Sequence, residues 1–106
     1  MNVVTLADFH QFSSEKMKKN NIFQTDRFFC DVYCFEPGQD QKGHVHALQD
    51  KVYIVIEGEG MFQVGTEQQV LGAGQGTIAP AGEEHGVKNH TSERLKVLVF
   101  VAPNPV

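Results

Sequence analysis

The stretch GHVHALQDKVYIVIEGEG, Gly43 to Gly60, is the one on which the reading of this chain turns. From Lys51 onward the run KVYIVIE is rich in β-branched and aromatic residues and stops at Gly58, the pattern of a strand closed by a glycine turn. Upstream, His44 and His46 stand two apart, so on an extended backbone both imidazoles project from one face. Paired imidazoles suit a divalent ion. Lys51, however, sits where a carboxylate would help such an ion.

Working outward, the same strand signal repeats with short breaks. FFCDVYCFE (28–36) ends at the turn PGQ, and GMFQVGT, QQVLGAG, GTIAPAG, HGVKN and LKVLVFVAP follow, with glycine at nearly every joint. Short strands joined by Gly-rich turns, with no helices between them, indicate an antiparallel sandwich or barrel. The one helix expected lies in the N-terminal segment, about residues 1–24. There SSEKMKKN offers Ser13 or Ser14 as a cap and lysines near the negative end of the helix dipole. The fold class is therefore all-β with a short N-terminal helix, in a single domain over 1–106 whose barrel occupies about 28–103.

Composition agrees with one compact domain. The 106 residues are 41% hydrophobic and 21% charged, enough to bury one core, and carry 4 prolines. A formal charge of -4, with no basic run beyond EKMKKN, argues against a nucleic-acid partner. The longest apolar run, VLVFVA, is far short of the roughly 18 residues a membrane-spanning helix needs. The N-terminus has neither a basic leader nor a long apolar stretch, so no membrane association and a cytoplasmic location are expected. Cys30 and Cys34 are four apart in an extended segment, which separates their backbones by roughly 13 Å, whereas a disulfide needs under about 7 Å. Both thiols read as reduced and packed like small hydrophobes.

A third histidine, His85, follows a proline-glycine turn in PAGEEHGVKN. Three imidazoles from two segments, brought together by a barrel, would leave coordination positions open for water or substrate. His10 and His90 have no partner in spacing and read as surface residues, and Glu83 and Glu84 read as a solvated turn. The two segments GQDQKGHVHALQDKVYIVIEG and GQGTIAPAGEEHGVKN resemble the two sequence motifs of the cupin family. In the first, Gly38 is followed after five residues by His44 and then His46, and the segment closes at Gly58. In the second, Gly74 is followed after five residues by Pro80, then Gly82, His85 and Asn89. Fifteen residues separate Gly58 from Gly74, similar to the short inter-motif spacing of small microbial cupins. The resemblance implies a jelly-roll β-barrel of six or more strands. It also implies a divalent transition metal (zinc, iron, nickel, manganese or copper) held inside by His44, His46 and His85.

One position departs from the family pattern. Cupins usually place a glutamate ligand seven residues before the closing glycine, and Lys51 stands there. A shorter spacer would instead put the acidic position at Asp50. Alternation favours Lys51, which shares a face with Tyr53, Val55 and Glu57, while Asp50 precedes the strand. An ammonium about 5 Å from a divalent ion is repelled by several kcal/mol at an effective dielectric near 20, so it cannot stand charged and unpaired beside the metal. Three arrangements are open: Lys51 reaches away to solvent, loses its proton, or pairs with Asp50, a nearby glutamate or an anionic substrate.

The large side chains Tyr33, Phe35, Tyr53, Met61, Phe62, Val87, Leu98 and Phe100 suffice to line an apolar pocket, or simply to pack a core. Asp50, Lys51, Tyr33, Tyr53, Met61 and Phe100 are the candidate site-lining residues, with Lys51 and Asp50 the two alternatives for the position of the missing carboxylate. The family resemblance implies dioxygenase, isomerase or lyase chemistry on a small-molecule substrate. A non-enzymatic module that binds or senses a small ligand or metal in the same pocket is the alternative. Small cupins commonly pair through their sheets, and a barrel of this size buries a modest share of its surface, so a homodimer is implied.

Overall fold

The computed structural model describes residues 1–104. Nine strands run in chain order: β1 Lys18–Gln24, β2 Phe29–Phe35, β3 Asp40–Val45, β4 Asp50–Glu57, β5 Glu59–Val64, β6 Glu67–Gly72, β7 Gly76–Ala79, β8 Glu84–Lys88 and β9 Leu95–Ala102. They form two antiparallel sheets, one of five strands ordered β1-β2-β9-β4-β7 and one of four ordered β3-β8-β5-β6. The all-β jelly-roll expectation holds. Among the described residues no helix is long and apolar enough to cross a membrane.

The N-terminal helix is corrected. The helical content there is one 3-10 turn, Leu6–Asp8, and the segment that offered Ser13 and Ser14 as caps instead leads into β1. Lys18 to Gln24 pair antiparallel with β2, so an edge strand gains ladder hydrogen bonds that a short isolated helix could not match. Residues 9–13 cross the outer face of this sheet. Gln11 and Asn20 exchange hydrogen bonds at 3.2 and 3.1 Å, Gln39 Nε2 donates to the Ser13 carbonyl at 2.7 Å, and Arg94 lies over the Phe12 ring.

Alternation along the central strands sets what faces inward. Val97, Val99 and Val101 of β9 oppose Tyr33, Asp31 and Phe29 of β2, and Val55, Tyr53 and Lys51 of β4. From the other sheet Phe62, Leu71 and Val87 meet them, and with Tyr33, Tyr53, Val55, the three β9 valines, Phe35 and Leu95 they form one buried cluster, against which Phe29 packs. Each fully buried side chain of this kind contributes about 1.5–3 kcal/mol relative to exposure. Cys30 and Cys34 have the opposite parity. Both are free thiols; Cys34 is buried beneath the N-terminal arm, its Sγ 3.8 Å from the Phe9 carbonyl. The two share a strand face, the outer one.

Candidate metal centre

His44 lies on β3 directly opposite His85 on β8, and His46 follows one residue past the end of β3. The imidazole rings pack as a triangle with centroid separations of 4.3, 4.7 and 5.3 Å. One nitrogen from each ring lies within 4.8 Å of the other two. Cross-strand pairing brings His44 and His85 together, and the two-residue repeat brings His46 to the same side.

The backbone fixes which nitrogens face inward. His44 Nδ1 lies 2.8 Å from the Lys42 carbonyl and His85 Nδ1 lies 3.0 Å from that of Glu83. A carbonyl can only accept, so each Nδ1 carries the proton and each Nε2 presents a lone pair, the arrangement that orients histidine ligands in metal sites. His85 is buried, and its Nε2 has no hydrogen-bond partner among the described residues. Burial holds His85 and His46 below the usual histidine range, with the neighbouring imidazoles and Lys51 adding to the effect, so both favour the neutral form that binds metal. An orphaned buried nitrogen, fixed tautomers and neutral rings fit a borderline divalent ion.

A bulge makes the geometry possible. Between Gln41 and His44 the β3–β8 register shifts, with Gln41 opposite Val87 and His44 opposite His85. Two residues of β3, Lys42 and Gly43, thus face the single Gly86 of β8. A side chain is displaced to the other face by one extra residue, so Gln41 and His44 line the same cavity despite an odd separation. Gly86 permits the close approach: a Cβ there would stand 2.9 Å from the Gln41 carbonyl oxygen and 2.9 Å from the Gly43 nitrogen.

The cavity, of about 440 Å³, is lined by Phe29, Tyr33, Gln41, His44, His46, Gln49, Lys51 and Val101, with Lys19 at its edge. Lys51 points inward. It is buried, its Nζ donates to Gln41 Oε1 at 3.0 Å, and it rests 5.0 and 5.3 Å from the ring centres of Tyr33 and Tyr53. Escape to solvent, one of the open arrangements, is therefore not what the chain adopts. Burial and then Lys19 pull its pKa down to about 8, against a smaller opposing pull from Asp31. Tyr53 stacks edge-on near Phe62 and His85, and its hydroxyl, whose pKa burial raises, is a second buried polar atom without a partner among the described residues.

Several of the candidate lining residues lie elsewhere. Asp50 is exposed, and its Oδ1 accepts from the Ala81 N–H at 2.9 Å, tying β4 to the turn before β8. Phe100 and Leu98 have the parity opposite to Val97, Val99 and Val101 and face outward, where Phe100 stacks on Phe28 at 5.2 Å. Met61, opposite Val70 and Lys88, likewise has the parity opposite to inward-facing Phe62. Large size drew attention to these residues, whereas alternation decides their direction. Conversely, Lys19, Phe29, Gln41 and Gln49 line the cavity unforeseen. For Lys19 and Gln41 the missing signal was the β1 strand and the β3 bulge. His10, His90, Glu83 and Glu84 are exposed.

Among solved structures, that of TT1209 from Thermus thermophilus is 42% identical, covering 99% of this chain and 100% of that one, with a TM-score of 0.96. A conserved protein with a double-stranded β-helix domain from Klebsiella pneumoniae is 25% identical, covering 99% and 92%, with a TM-score of 0.90. Beta-D-galactosidase Rv1717 of Mycobacterium tuberculosis is 26% identical over 93 residues, 88% of this chain and 79% of that protein. The cupin domain matches residues 31–101, the span that holds both histidine segments, and the chain belongs to that family.

Proposed function

We propose that this chain is a metal-binding cupin with an open three-histidine site, acting on a small organic molecule in the cavity beside it. The observation that carries the reading is the convergence of His44, His46 and His85 with the buried His85 Nε2 unpartnered and two Nδ1 atoms tied to carbonyls. These residues would hold a divalent transition metal, which when bound supplies Lewis acidity or a site for dioxygen and substrate oxygens. Dioxygenase, isomerase or lyase chemistry is compatible with such a centre. The protein's own contribution is orientation and water exclusion: Phe29, Tyr33 and Val101 wall the cavity, and Lys51 and Gln41 present polar groups into it.

The galactosidase name of the relative is a weaker guide. Glycoside hydrolysis ordinarily uses two carboxylates flanking the scissile bond, and none of the described lining residues of this cavity is acidic. The same lack of an acidic general base favours, as a second reading, a module that binds or senses a small ligand without turning it over. Free thiols at Cys30 and Cys34 accord with a reducing, cytoplasmic setting. The exposed apolar outer face of the five-stranded sheet supports pairing of two copies.

Equilibrium dialysis with zinc or iron(II) tests the centre. Single His44→Ala, His46→Ala and His85→Ala variants should each retain only a small fraction of the bound metal, alike in all three, because each removes one of few donors. Full retention in His85→Ala alongside loss in His44→Ala would show that the two segments do not share an ion.

A further inference from the structure

The cavity carries two cations and no acidic lining residue among those described, and Lys51 is the more demanding of the two. It is 3% exposed, and its hydrogen-bond partner, the Gln41 amide oxygen, is uncharged. Among the described residues, no carboxylate lies within ion-pair distance of it. The buried Asp31 nearby is engaged by Asn21 Nδ2 at 2.7 Å. Two tyrosine faces offset part of the charge, but an ammonium removed from water without a counter-ion remains poorly solvated. Lys19 reaches the same ring from β1, its Nζ 5.4 Å from the Tyr33 centre. Two ammonium groups around one aromatic ring repel each other, and an anion between them would turn that repulsion into attraction.

We propose that the cavity takes a small organic acid, its carboxylate held by Lys51 and Lys19 and an oxo or hydroxyl oxygen on the adjacent carbon directed to the three histidines. Phe29, Tyr33 and Val101 accommodate an apolar tail. The second point of attachment rests on the three-histidine reading, whereas the carboxylate contact does not.

The probe is 4-methyl-2-oxopentanoate against its uncharged amide, titrated calorimetrically into metal-free and zinc-loaded protein, with zinc uptake measured separately. The native protein should prefer the acid by at least tenfold in both forms. Lys51→Met, which keeps the stem and removes the charge, should lose most of that preference while retaining zinc. Lys19→Gln, at an exposed position that leaves the core intact, should lose part of it. Equal affinity for acid and amide, no binding of the acid in either form, or a preference unchanged in both variants would overturn the proposal. If the native protein takes up no zinc, the three-histidine reading fails by itself, and the acid-over-amide preference of the metal-free protein still decides the carboxylate contact.

Discussion

Lys51 is the second residue of β4, after Asp50, with its side chain directed into the histidine cavity, so its replacement is a direct probe of the centre. Lys51→Glu exchanges a repelling charge for a donor oxygen with compensating charge, and zinc affinity should rise on the order of tenfold or more. Lys51→Ala removes the charge without adding a donor and should raise affinity less. Parallel titrations of the two variants check this; equal affinities would mean that a carboxylate at 51 does not reach the ion. Tyr53 gives a second test. Its buried hydroxyl has no partner among the described residues, and such a group costs about 1–3 kcal/mol, so Tyr53→Phe should hold or raise the melting temperature. A clear fall would reveal a partner that the hydroxyl needs. At this scale the sequence was informative where spacing carries chemistry: the three histidines and the anomaly at Lys51 stand out in it. Met61 and Phe100 face away from the cavity although their size nominates them, because residue type says what a side chain can do and strand parity says where it points.

Among the elements, β3 is the one whose irregularity matters. Its two-against-one bulge depends on Gly86, so Gly86→Ala should force the strands apart, costing about 2 kcal/mol or more and lowering zinc affinity as His44 moves relative to His85. Gly74 is the control. It has φ +86° with nothing within 4 Å of where a methyl group would stand, so Gly74→Ala should cost only about 1–2 kcal/mol of backbone strain and leave zinc binding intact. Thermal melts paired with zinc titrations separate the two effects; unchanged zinc affinity in Gly86→Ala would mean that the bulge does not set the ligand geometry. A bulge is set by pairing between distant segments, which is why the even spacing of His44 and His46 was readable and the placement of Gln41 was not. β1 was hidden for a related reason. SSEKMKKN satisfies local helix rules, while the strand state of its last three residues, in β1, depends on pairing with β2 and on Met17, buried in the core cluster just before the strand.

Over the whole molecule, the two sheets differ in what their outer faces require. On the five-stranded sheet the N-terminal arm shields Cys34, but farther across, Phe100, Ile54 and Ile78 are left 39%, 41% and 50% exposed. Val52 stands between Phe100 and Ile78, and Ile54 lies opposite Leu98, so these side chains form one continuous apolar surface over β9, β4 and β7. A contiguous apolar patch of this kind marks an interaction site, and a flat sheet face can pair with a second copy of itself about a two-fold axis. The face points away from the histidine cavity, which opens between the sheets, so pairing would leave ligand access unobstructed. Sedimentation should therefore give about twice the 11.8 kDa of the single chain. Ile78→Lys, which places a charge on the most exposed of these residues, should shift the population toward monomer by on the order of tenfold or more in dissociation constant, because an ammonium would be desolvated in an apolar interface. Its zinc stoichiometry should stay native. A monomeric native chain, or a variant as dimeric as the native protein, would place the contact on another surface.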